Sequence, residues 1–391
     1  MQFGVPRTIF GQEHEEFRNT VRHFLEQEVV PHHAQWEEDG KTPREIWLRA
    51  GEMGLLGTSI PEAYGGSGVG FFFDAIVIEE LGRYGLPAPA WDMHAYIVAP
   101  FIVEWGTEAQ KQRWLPGMAS GEIISSIGLT EPDSGSDLQS LRTTAIRDGD
   151  HYVVNGSKTF ITNGIIGDFV LLAAKADPAK KAEGIVLLLV DSTLPGFRRG
   201  RTLKKVGNKA QDTAELFFED MRVPADCVLG AENDGWRILM HGLARERMVV
   251  AVRSQVICEV AVDQTAEYTQ SRRSFGGTLF DFQNTQFTLA EAATGVEVTR
   301  PFVDRCIQLL ADGSLSPVTA AKAKLWTTEL QDKILDDCVQ LHGGYGYMWE
   351  YPITRAWADA RAHRIYAGSN EVMKYIIGRS LKIDPSRPGQ A

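Results

Sequence analysis

The stretch IISSIGLTEPDSGSD, residues 123–137, is where the pattern of the chain changes from helical to extended. An apolar run ends there in a segment of small and turn-forming residues. The runs DFVLLAAKA (168–176) and GIVLLLVD (184–191) have the length and the apolar content of buried strands. Asp-Gly and Asn-Gly pairs, which favour tight hairpin turns, occur at positions 148–149, 155–156 and 163–164. Residues 123–234 are therefore predicted to form a central antiparallel β domain, a barrel or a sandwich.

A helical period is present on both sides of this region. In EEFRNTVRHFLEQEVVP (15–31) the apolar residues recur at helical spacing, and the long segments after residue 235 show the same pattern. We therefore predict an N-terminal α domain at residues 1–122 and a C-terminal α domain at residues 235–391, the latter packed as a helix bundle. The predicted fold class is α+β, in the order α, β, α.

Length and charge limit the class of protein. The chain has 391 residues, which exceeds the usual size of one compact core, so several domains are expected. The net charge of −11 argues against a general nucleic-acid-binding protein. A basic cluster could hold phosphates, although a solvated loop is the more common interpretation; its members are Arg198, Arg199, Arg201, Lys204 and Lys205.

Cysteine spacing and hydropathy indicate the cellular setting. Cys227, Cys258, Cys306 and Cys338 are far apart and form no C-x-x-C pair, so neither a metal site nor a dense disulfide framework is expected. The N-terminal residues lack the features of a secretory signal, and no apolar stretch is long enough to span a membrane. The expected location is cytoplasmic, without a membrane span.

Two motifs of the predicted β domain have a composition suited to ligand binding. TEPDSGSD (130–137) is rich in small residues, which let backbone N–H groups approach a planar or anionic ligand, although it could also be a simple strand-ending turn. In GSKTFITNG (156–164), Phe160 and Thr162 alternate with Ile161, so both side chains are predicted on one side of a strand. The simpler interpretation of Phe160 is a core aromatic residue.

Two further motifs lie in the predicted C-terminal helices. SRRSFGG (271–277) contains Arg272, whose guanidinium group can pair bidentately with a phosphate. QLHGGYGY (340–347) contains glycines, whose backbone a ligand can approach closely. Taken alone, each motif could also be an exposed basic helix end or a glycine-rich helix stop.

These motifs occur in the order and spacing found in acyl-CoA dehydrogenases, and the chain resembles that family over almost its whole length. KAQDTAELFFED (209–220) and DCVQLHGGYGYMWEYPI (337–353) are similar to its long-chain branch. The resemblance implies an N-terminal helical domain, a central antiparallel β-barrel and a C-terminal four-helix bundle. It also implies FAD-dependent oxidation of an acyl-CoA to a trans-2-enoyl-CoA, with electrons passed to an electron-transfer flavoprotein. The implied assembly is a homotetramer, with a dimer as the alternative.

The resemblance further implies which residues bind the ligands. Phe160 would lie beside the isoalloxazine ring, where many members have tryptophan, and the Thr162 hydroxyl would lie near flavin N5. Arg272 would contact the pyrophosphate, at a site shared across a subunit boundary. The implied flavin-binding positions are Ile127, Leu129, Thr130, Ser136, Phe160, Ile161, Thr162, Arg272, Phe275, Gln283, Gln340, Leu341, Gly343, Gly344, Ser369 and Glu371. The implied substrate-binding positions are Ser136, Ala244, Arg247, Tyr366 and Gly368.

The catalytic base is implied by LARERM (243–248) and IYAGSN (365–370). In the medium- and short-chain members the base is a glutamate at the position that matches Ala367, and an alanine cannot accept a proton. In the long-chain and isovaleryl members the base matches Glu246. The resemblance therefore implies that Glu246 removes the α-proton, while the backbone N–H of Ala367 binds the thioester carbonyl. Without the family, a charged Arg-Glu-Arg run is usually interpreted as a solvated helix face.

Several alternatives remain open at this point. Glu371, one helical turn beyond Ala367, is the second candidate for the base. The acyl group could be branched or terpenoid instead of long and straight, because the same base position serves branched-chain members. A flavin monooxygenase or oxidase, or a flavin-binding protein without catalytic activity, could use the same scaffold.

Overall fold

The computed structural model describes residues 4–382. The chain forms two compact units, Phe10–Val249 and the combination of Met1–Ile9 with Val250–Ala391. We call them the N-unit and the C-unit. Helix α8, Gly235–Ser271, supplies residues to both units.

The first part of the N-unit is helical. Its helices are α1 (Gln12–Phe24), α2 (Val30–Asp39), α3 (Arg44–Glu52), α4 (Phe71–Arg83), α5 (Trp91–Met93), α6 (Ala99–Trp105) and α7 (Glu108–Ser120). Most of α4 is buried, including the carboxylates of Asp74, Glu79 and Glu80. Arg18 of α1 lies 3.1 Å from Glu80, and Arg22 of the same helix lies 3.0 Å from it. Because a buried charge requires a partner of opposite sign, these ion pairs fix α1 against α4.

Seven strands form one curled sheet in the same unit. They are β1 (Ser125–Gly128), β2 (Thr144–Asp148), β3 (His151–Thr162), β4 (Phe169–Lys175), β5 (Ile185–Asp191), β6 (Phe197–Thr202) and β7 (Thr213–Pro224). Their order is β1-β4-β2-β3-β7-β6, and β5 pairs with β4. The predicted central β domain is confirmed, but β1 and β2 pair with β4 in parallel, which corrects the purely antiparallel description. The long segment 129–143 separates β1 from β2, so no hairpin turn forces them to run in opposite directions.

An apolar core lies against this sheet, and helix α7 of the N-unit packs against its strand β4. β4 and β5 are buried along almost their whole length. The Trp114 ring of α7 lies 4.5 Å from the Phe169 ring of β4. Gln110, in the first turn of α7, donates to the carbonyl oxygens of Asp226 at 2.7 Å and Val228 at 2.8 Å. The sheet and the first helices therefore share one packed interior.

The C-unit is helical, as predicted. Besides the second part of α8, it contains α9 (Gln283–Ala311), α10 (Pro317–His342), α11 (Pro352–Ala360), α12 (Asn370–Ser380) and a small hairpin of β8 (Arg273–Ser274) and β9 (Gly277–Thr278). Ser316 precedes α10 and caps it, since its hydroxyl accepts from the Thr319 N–H at 3.1 Å. Buried Gln255 of α8 donates to the Val296 carbonyl of α9 at 3.0 Å. The predicted four-helix-bundle fold class is thus confirmed.

The four cysteines, Cys227, Cys258, Cys306 and Cys338, are free and buried. Burial raises the pKa of the Cys227, Cys306 and Cys338 thiols to about 11. Within residues 4–382, no group of three or more His, Cys, Asp or Glu side chains is placed to hold a metal ion. None of the helices in this range is both long and apolar enough to cross a membrane.

Candidate active site

A buried ion pair fixes the loop that carries TEPDSGSD. Lys158 Nζ of β3 donates to Glu131 Oε1 at 2.7 Å and to the Leu129 carbonyl at 3.0 Å. The carboxylate of Glu131 also accepts from the backbone N–H of Arg142 at 2.5 Å and of Thr143 at 2.9 Å. Lys158 is fully buried and Glu131 nearly so. The pair therefore connects both ends of the loop to the strand that carries Phe160.

Burial and charge act in opposite directions on this pair. Burial lowers the pKa of Lys158 to about 8, although the charge of Glu131 opposes the change. Burial also raises the pKa of Glu131, but the charge and the hydrogen bond of Lys158 outweigh it, and the pKa lies below its ordinary value. Glu131 is therefore an anion at neutral pH, and Lys158 is its counter-ion.

The predicted flavin-binding positions in and before this loop are partly exposed to solvent. Ile127, Leu129 and Thr130 are half-buried, and Ser136 is exposed. The Thr159 N–H donates to the Thr130 carbonyl at 2.9 Å, so the loop lies directly beside β3. The structure therefore brings the TEPDSGSD and GSKTFITNG motifs together.

Strand β3 has an irregularity next to this contact. Its pairing with β7 shifts in register between Lys158 and Ile161, and Phe160 within the shift has a φ of 61°. Phe160 is 68% exposed, Ile161 is 2% exposed and Thr162 is half-buried. The predicted alternation holds for these three residues, but the regular strand is interrupted by a bulge. The alternative that Phe160 is a core residue is wrong, and its unusual backbone conformation is of the kind found at binding sites.

Asp212 is a buried carboxylate that the sequence did not single out. Its Oδ2 accepts from the Ile165 N–H at 2.7 Å, and its backbone carbonyl accepts from the Asn163 N–H at 3.3 Å. Among the described residues, its Oδ1 has no hydrogen-bond partner. Burial raises the pKa of Asp212 to about 6. Asp212 thus holds the turn after Thr162, and burial disfavours the ionised form of its carboxyl group.

The LARERM segment lies in the part of α8 that belongs to the N-unit. Arg247 is buried, and burial lowers its pKa although the charge of Glu246 opposes the change. Ala244 is buried and Glu246 is half-buried. Arg245 Nη1 lies 2.7 Å from Asp74 Oδ2 of α4. The interpretation of the Arg-Glu-Arg run as a solvated helix face is therefore wrong.

The IYAGSN segment forms a sharp turn in the C-unit, before α12. Ala367 has a φ of 55° and Gly368 a φ of 81°, so two consecutive residues adopt the left-handed conformation. Lys324 Nζ of α10 donates to the Gly368 carbonyl at 2.9 Å and to Asn370 Oδ1 at 2.7 Å. Lys324 is fully buried and Ala367 is 7% exposed. A buried lysine therefore fixes this loop as well.

The start of α12 bears on the second candidate for the base. The Ser369 hydroxyl accepts from the Val372 N–H at 3.4 Å and so caps the helix. Glu371 is exposed in the first turn, and hydrogen bonds from its own N–H and from the Ser369 side chain lower its pKa. A carboxylate with a lowered pKa is a weaker base, so Glu371 is less suited to remove an α-proton.

The remaining motifs of the C-unit lie next to each other. The Arg272 guanidinium lies 5.2 Å from the centre of the Tyr345 ring. One turn earlier in α8, the Tyr268 ring stacks on His342 with 4.1 Å between ring centres. Phe275 has a φ of 48° and is 96% exposed. SRRSFGG and QLHGGYGY thus form one surface.

Most predicted ligand-binding positions on this surface are open. Gln283 and Gln340 are exposed, and Leu341 is half-buried. A Cβ atom added to Gly343 or Gly344 would meet no atom within 4 Å. The backbone at these glycines is therefore accessible to a ligand.

The predicted site residues divide between the two units. Ile127, Leu129, Thr130, Ser136, Phe160, Ile161, Thr162, Ala244, Glu246 and Arg247 belong to the N-unit. Arg272, Phe275, Gln283, Gln340, Leu341, Gly343, Gly344, Tyr366, Ala367, Gly368, Ser369 and Glu371 belong to the C-unit. Sequence reasoning missed Lys158, Lys324, Asp212 and Asp74, because the identity of a charged residue gives no sign that it is buried.

Comparison with known proteins identifies the family. Residues 11–122, 126–221 and 233–382 match the models for the N-terminal, middle and C-terminal domains of acyl-CoA dehydrogenases. The chain belongs to the acyl-CoA dehydrogenase family. This family consists of flavoprotein oxidoreductases that act on the CH–CH group of an acyl-CoA.

Individual relatives of this acyl-CoA dehydrogenase cover nearly all of it. It is 47% identical to the mitochondrial long-chain specific acyl-CoA dehydrogenase of Sus scrofa, over 97% of this chain and 88% of that protein. An acyl-CoA dehydrogenase structure from Geobacillus kaustophilus matches with a TM-score of 0.94 and 46% identity, covering 96% of this chain and 99% of the other. A structure described as the electron transferring flavoprotein of Acidaminococcus fermentans matches with a TM-score of 0.91 and 33% identity, covering 98% and 100%.

Proposed function

We propose that this acyl-CoA dehydrogenase oxidises long-chain acyl-CoA thioesters and uses Glu246 as its base. The observation that supports the base most is the contrast between the two candidate positions. Ala367 has no side chain that can accept a proton, whereas Glu246 is half-buried in α8 and adjoins the buried Arg247. Partial exclusion of water acts to make a carboxylate a stronger base, whereas the charge of Arg247 acts in the opposite direction, so the support comes from the position of Glu246.

In the proposed reaction Glu246 takes the proton from the carbon next to the thioester carbonyl, and the β-carbon loses a hydride. FAD, when bound, supplies the acceptor for that hydride. The backbone N–H of Ala367 donates a hydrogen bond to the carbonyl oxygen, where negative charge develops. Ser136, Ala244, Arg247, Tyr366 and Gly368 are the proposed contacts of the substrate.

The residues present suit FAD. Phe160 offers an exposed aromatic ring at a bulge, where it can pack against a flat ring system. Arg272 can pair with the pyrophosphate, and the open backbone at Gly343 and Gly344 leaves room for it. The side chains of Thr130 and Thr162 are the proposed polar contacts of the flavin ring, and the other flavin positions named above complete the proposed site.

The broader setting is proposed from the family and from the relatives. We propose an electron-transfer flavoprotein as the electron acceptor, which the similarity to the Acidaminococcus fermentans structure supports. The high exposure of Phe275 in a single chain supports a site completed by a second subunit, in a homotetramer or a dimer. The free, buried cysteines fit a reducing cytoplasm. The domain boundaries proposed are 1–122, 123–234 and 235–391.

Anaerobic stopped-flow mixing with an acyl-CoA tests the base. Glu246→Gln is expected to abolish bleaching of the flavin absorbance while the flavin-to-protein ratio stays at the wild-type value. Glu371→Gln makes the same change at the second candidate, which is a proposed flavin contact, so bleaching is compared per bound flavin and should remain. Rapid bleaching in the Glu246→Gln variant would refute the base assignment. Absence of bleaching in the wild-type protein with every acyl-CoA would refute the dehydrogenase itself.

A substrate series tests the chain length. We expect kcat/KM to be highest for straight acyl-CoA esters of 12 to 18 carbons, roughly the long-chain range, since a longer apolar chain buries more surface. A maximum with short branched esters or with terpenoid esters would show that the branched-chain alternative is correct.

A further inference from the structure

Asp74 is a fully buried carboxylate in the middle of α4, and its three partners are well defined. The Thr58 hydroxyl donates to Oδ1 at 2.5 Å, and the Ser59 hydroxyl donates to Oδ2 at 2.6 Å. Arg245 Nη1 donates to Oδ2 at 2.7 Å. Asp74 itself is 0% exposed. Burial raises the pKa of Asp74, whereas Arg245 and the two hydroxyl groups act to lower it.

Arg245 connects this buried carboxylate to the candidate base. It precedes Glu246 in α8, and its guanidinium lies 5.1 Å from the centre of the Phe71 ring and 3.4 Å from the Ser59 hydroxyl. Its side chain is 23% exposed. Both anchoring groups, Asp74 and Phe71, lie on α4, so the guanidinium is held on the α4 side of α8.

We propose that Asp74 is a positioning residue for proton abstraction, because it binds Arg245 and thereby keeps that guanidinium away from Glu246. The inference rests on the proposed role of Glu246. It adds Asp74, which is fully buried in α4 and belongs to none of the motifs quoted for the family.

The carboxylates of Asp74 and Glu246 compete for one cation, the guanidinium of Arg245. A guanidinium that pairs with a carboxylate stabilises its anionic form and makes it a weaker base. Consecutive side chains of a helix do not face each other, so Arg245 approaches Glu246 only if its guanidinium leaves the α4 side of α8; the long stem of Arg245 allows this once Asp74 no longer binds it. Asp74 prevents this because its hydroxyl donors and its burial make it a preorganised acceptor for Arg245.

The same helix contains a matched control. Glu80 is also fully buried in α4 and also binds arginine, but its partners are Arg18, Arg22 and Arg83. None of these arginines belongs to α8. Removal of either carboxylate charge weakens the packing of α4, but only removal of the Asp74 charge releases a cation next to Glu246.

The experiment uses the holoenzyme and a substrate analogue, 3-thiatetradecanoyl-CoA. Sulfur replaces the β-carbon in this compound, so it can lose its α-proton but cannot be dehydrogenated. The long-wavelength absorption band that forms when the deprotonated analogue lies against the oxidised flavin measures proton abstraction alone. The variants are Asp74→Asn, Arg245→Met, the double variant Asp74→Asn/Arg245→Met, and Glu80→Gln.

Asp74→Asn is expected to weaken the band and to slow flavin reduction by natural substrate, each by about tenfold or more, which corresponds to about one pKa unit of basicity. Arg245→Met and the double variant are expected to stay within about threefold of wild type, because no cation is then released. Glu80→Gln is expected to lower the melting temperature and to leave the band unchanged. FAD content is measured for every variant.

Recovery of the absorption band in the double variant distinguishes a positioning role of Asp74 from a purely structural one. A double variant no better than Asp74→Asn, or a Glu80→Gln variant that loses the band equally, would overturn the proposal and leave a purely structural role for Asp74. If Asp74→Asn does not fold, the isosteric change Thr58→Val removes one donor to Asp74, and a loss of about two- to fivefold that Arg245→Met reverses is expected. A Thr58→Val variant with a full band would overturn the proposal in that case.

These outcomes are separate from failure of the proposed function. If the wild-type holoenzyme gives no band and no flavin reduction, the dehydrogenase assignment fails. If Glu246→Gln retains the band, the base assignment fails. If both assignments hold while Asp74→Asn behaves as wild type, only the role of Asp74 is disproved.

Discussion

Two buried lysines, one in each compact unit, each hold a loop that carries proposed site residues, and the oxygens that accept their hydrogen bonds differ. Lys158 binds the carboxylate of Glu131 below the TEPDSGSD loop. Lys324 binds the Gly368 carbonyl and the Asn370 side-chain oxygen below the IYAGSN loop. An anion left without its counter-ion in the interior costs more than a neutral oxygen that loses a hydrogen bond. The first loop should therefore depend on its lysine more strongly than the second.

The largest effect is expected for Lys158→Met. The substitution leaves the Glu131 carboxylate buried without its cation, so the free energy of unfolding should fall by about 3–5 kcal/mol. Urea denaturation followed by circular dichroism measures the change. The double variant Lys158→Met/Glu131→Gln removes both charges and should recover more than half of the loss. A loss below about 1 kcal/mol in the single variant would show that Lys158 is not an essential counter-ion.

A smaller loss of stability is expected for Lys324→Met, about 1–3 kcal/mol, because the bonded groups Gly368 and Asn370 are uncharged. The effect on catalysis should be larger than the effect on stability. The loop that carries the proposed Ala367 N–H donor loses its support, so the rate of reduction per bound flavin should fall. Lys322→Met is the control, since Lys322 is exposed on the same helix. Unchanged reduction in Lys324→Met would contradict this role.

Asp212 is a buried carboxylate of the N-unit that differs from Glu131, because no lysine donates a hydrogen bond to it in the described structure. Its pKa is raised from 3.8 to about 6, so the unfolded chain loses this proton at a lower pH than the folded chain does. The contribution of Asp212 to stability is therefore complete below pH 4 and is lost as the pH rises through 6. The stability of Asp212→Asn relative to wild type should rise by roughly 1–3 kcal/mol between pH 4 and pH 7. A difference that does not change with pH would contradict the raised pKa.

The smallest effect is expected for Ser369→Ala, at the start of α12. Its hydroxyl accepts a long hydrogen bond of 3.4 Å, so loss of this cap should cost only about 0.5–1 kcal/mol. Ser316→Ala, at the start of α10, removes a cap of 3.1 Å and should cost at least as much. A larger loss in Ser369→Ala, measured by thermal unfolding of both variants, would mean that the hydroxyl supports the IYAGSN loop itself.

The sequence predicted the order of helices and strands because long periodic segments and the turn pairs at 148–149 and 163–164 are local signals. The predicted turn at Asn155-Gly156 is wrong, because this pair lies inside β3 at a shift in its pairing with β7. The small residues of TEPDSGSD indicated a possible ligand-binding loop, whereas IYAGSN was indicated only by the resemblance to the family. The sequence could not indicate that Lys158 binds Glu131, 27 positions away, because only the folded sheet brings the two together. The bulge at Phe160 was not predicted either. The residues around Phe160 have the alternating pattern of a regular strand, and the register shift arises only from the pairing of β3 with β7.

The four buried cysteines give the chain an internal reporter of local opening. A thiol reacts with an alkylating reagent only as the thiolate, and burial both shields these side chains and raises the pKa of each thiol. Cys227 belongs to the N-unit, and Cys258, Cys306 and Cys338 belong to the C-unit. Brief exposure to iodoacetamide at increasing urea, followed by mass spectrometry of the peptides, would therefore reveal which unit opens first, without any engineered label.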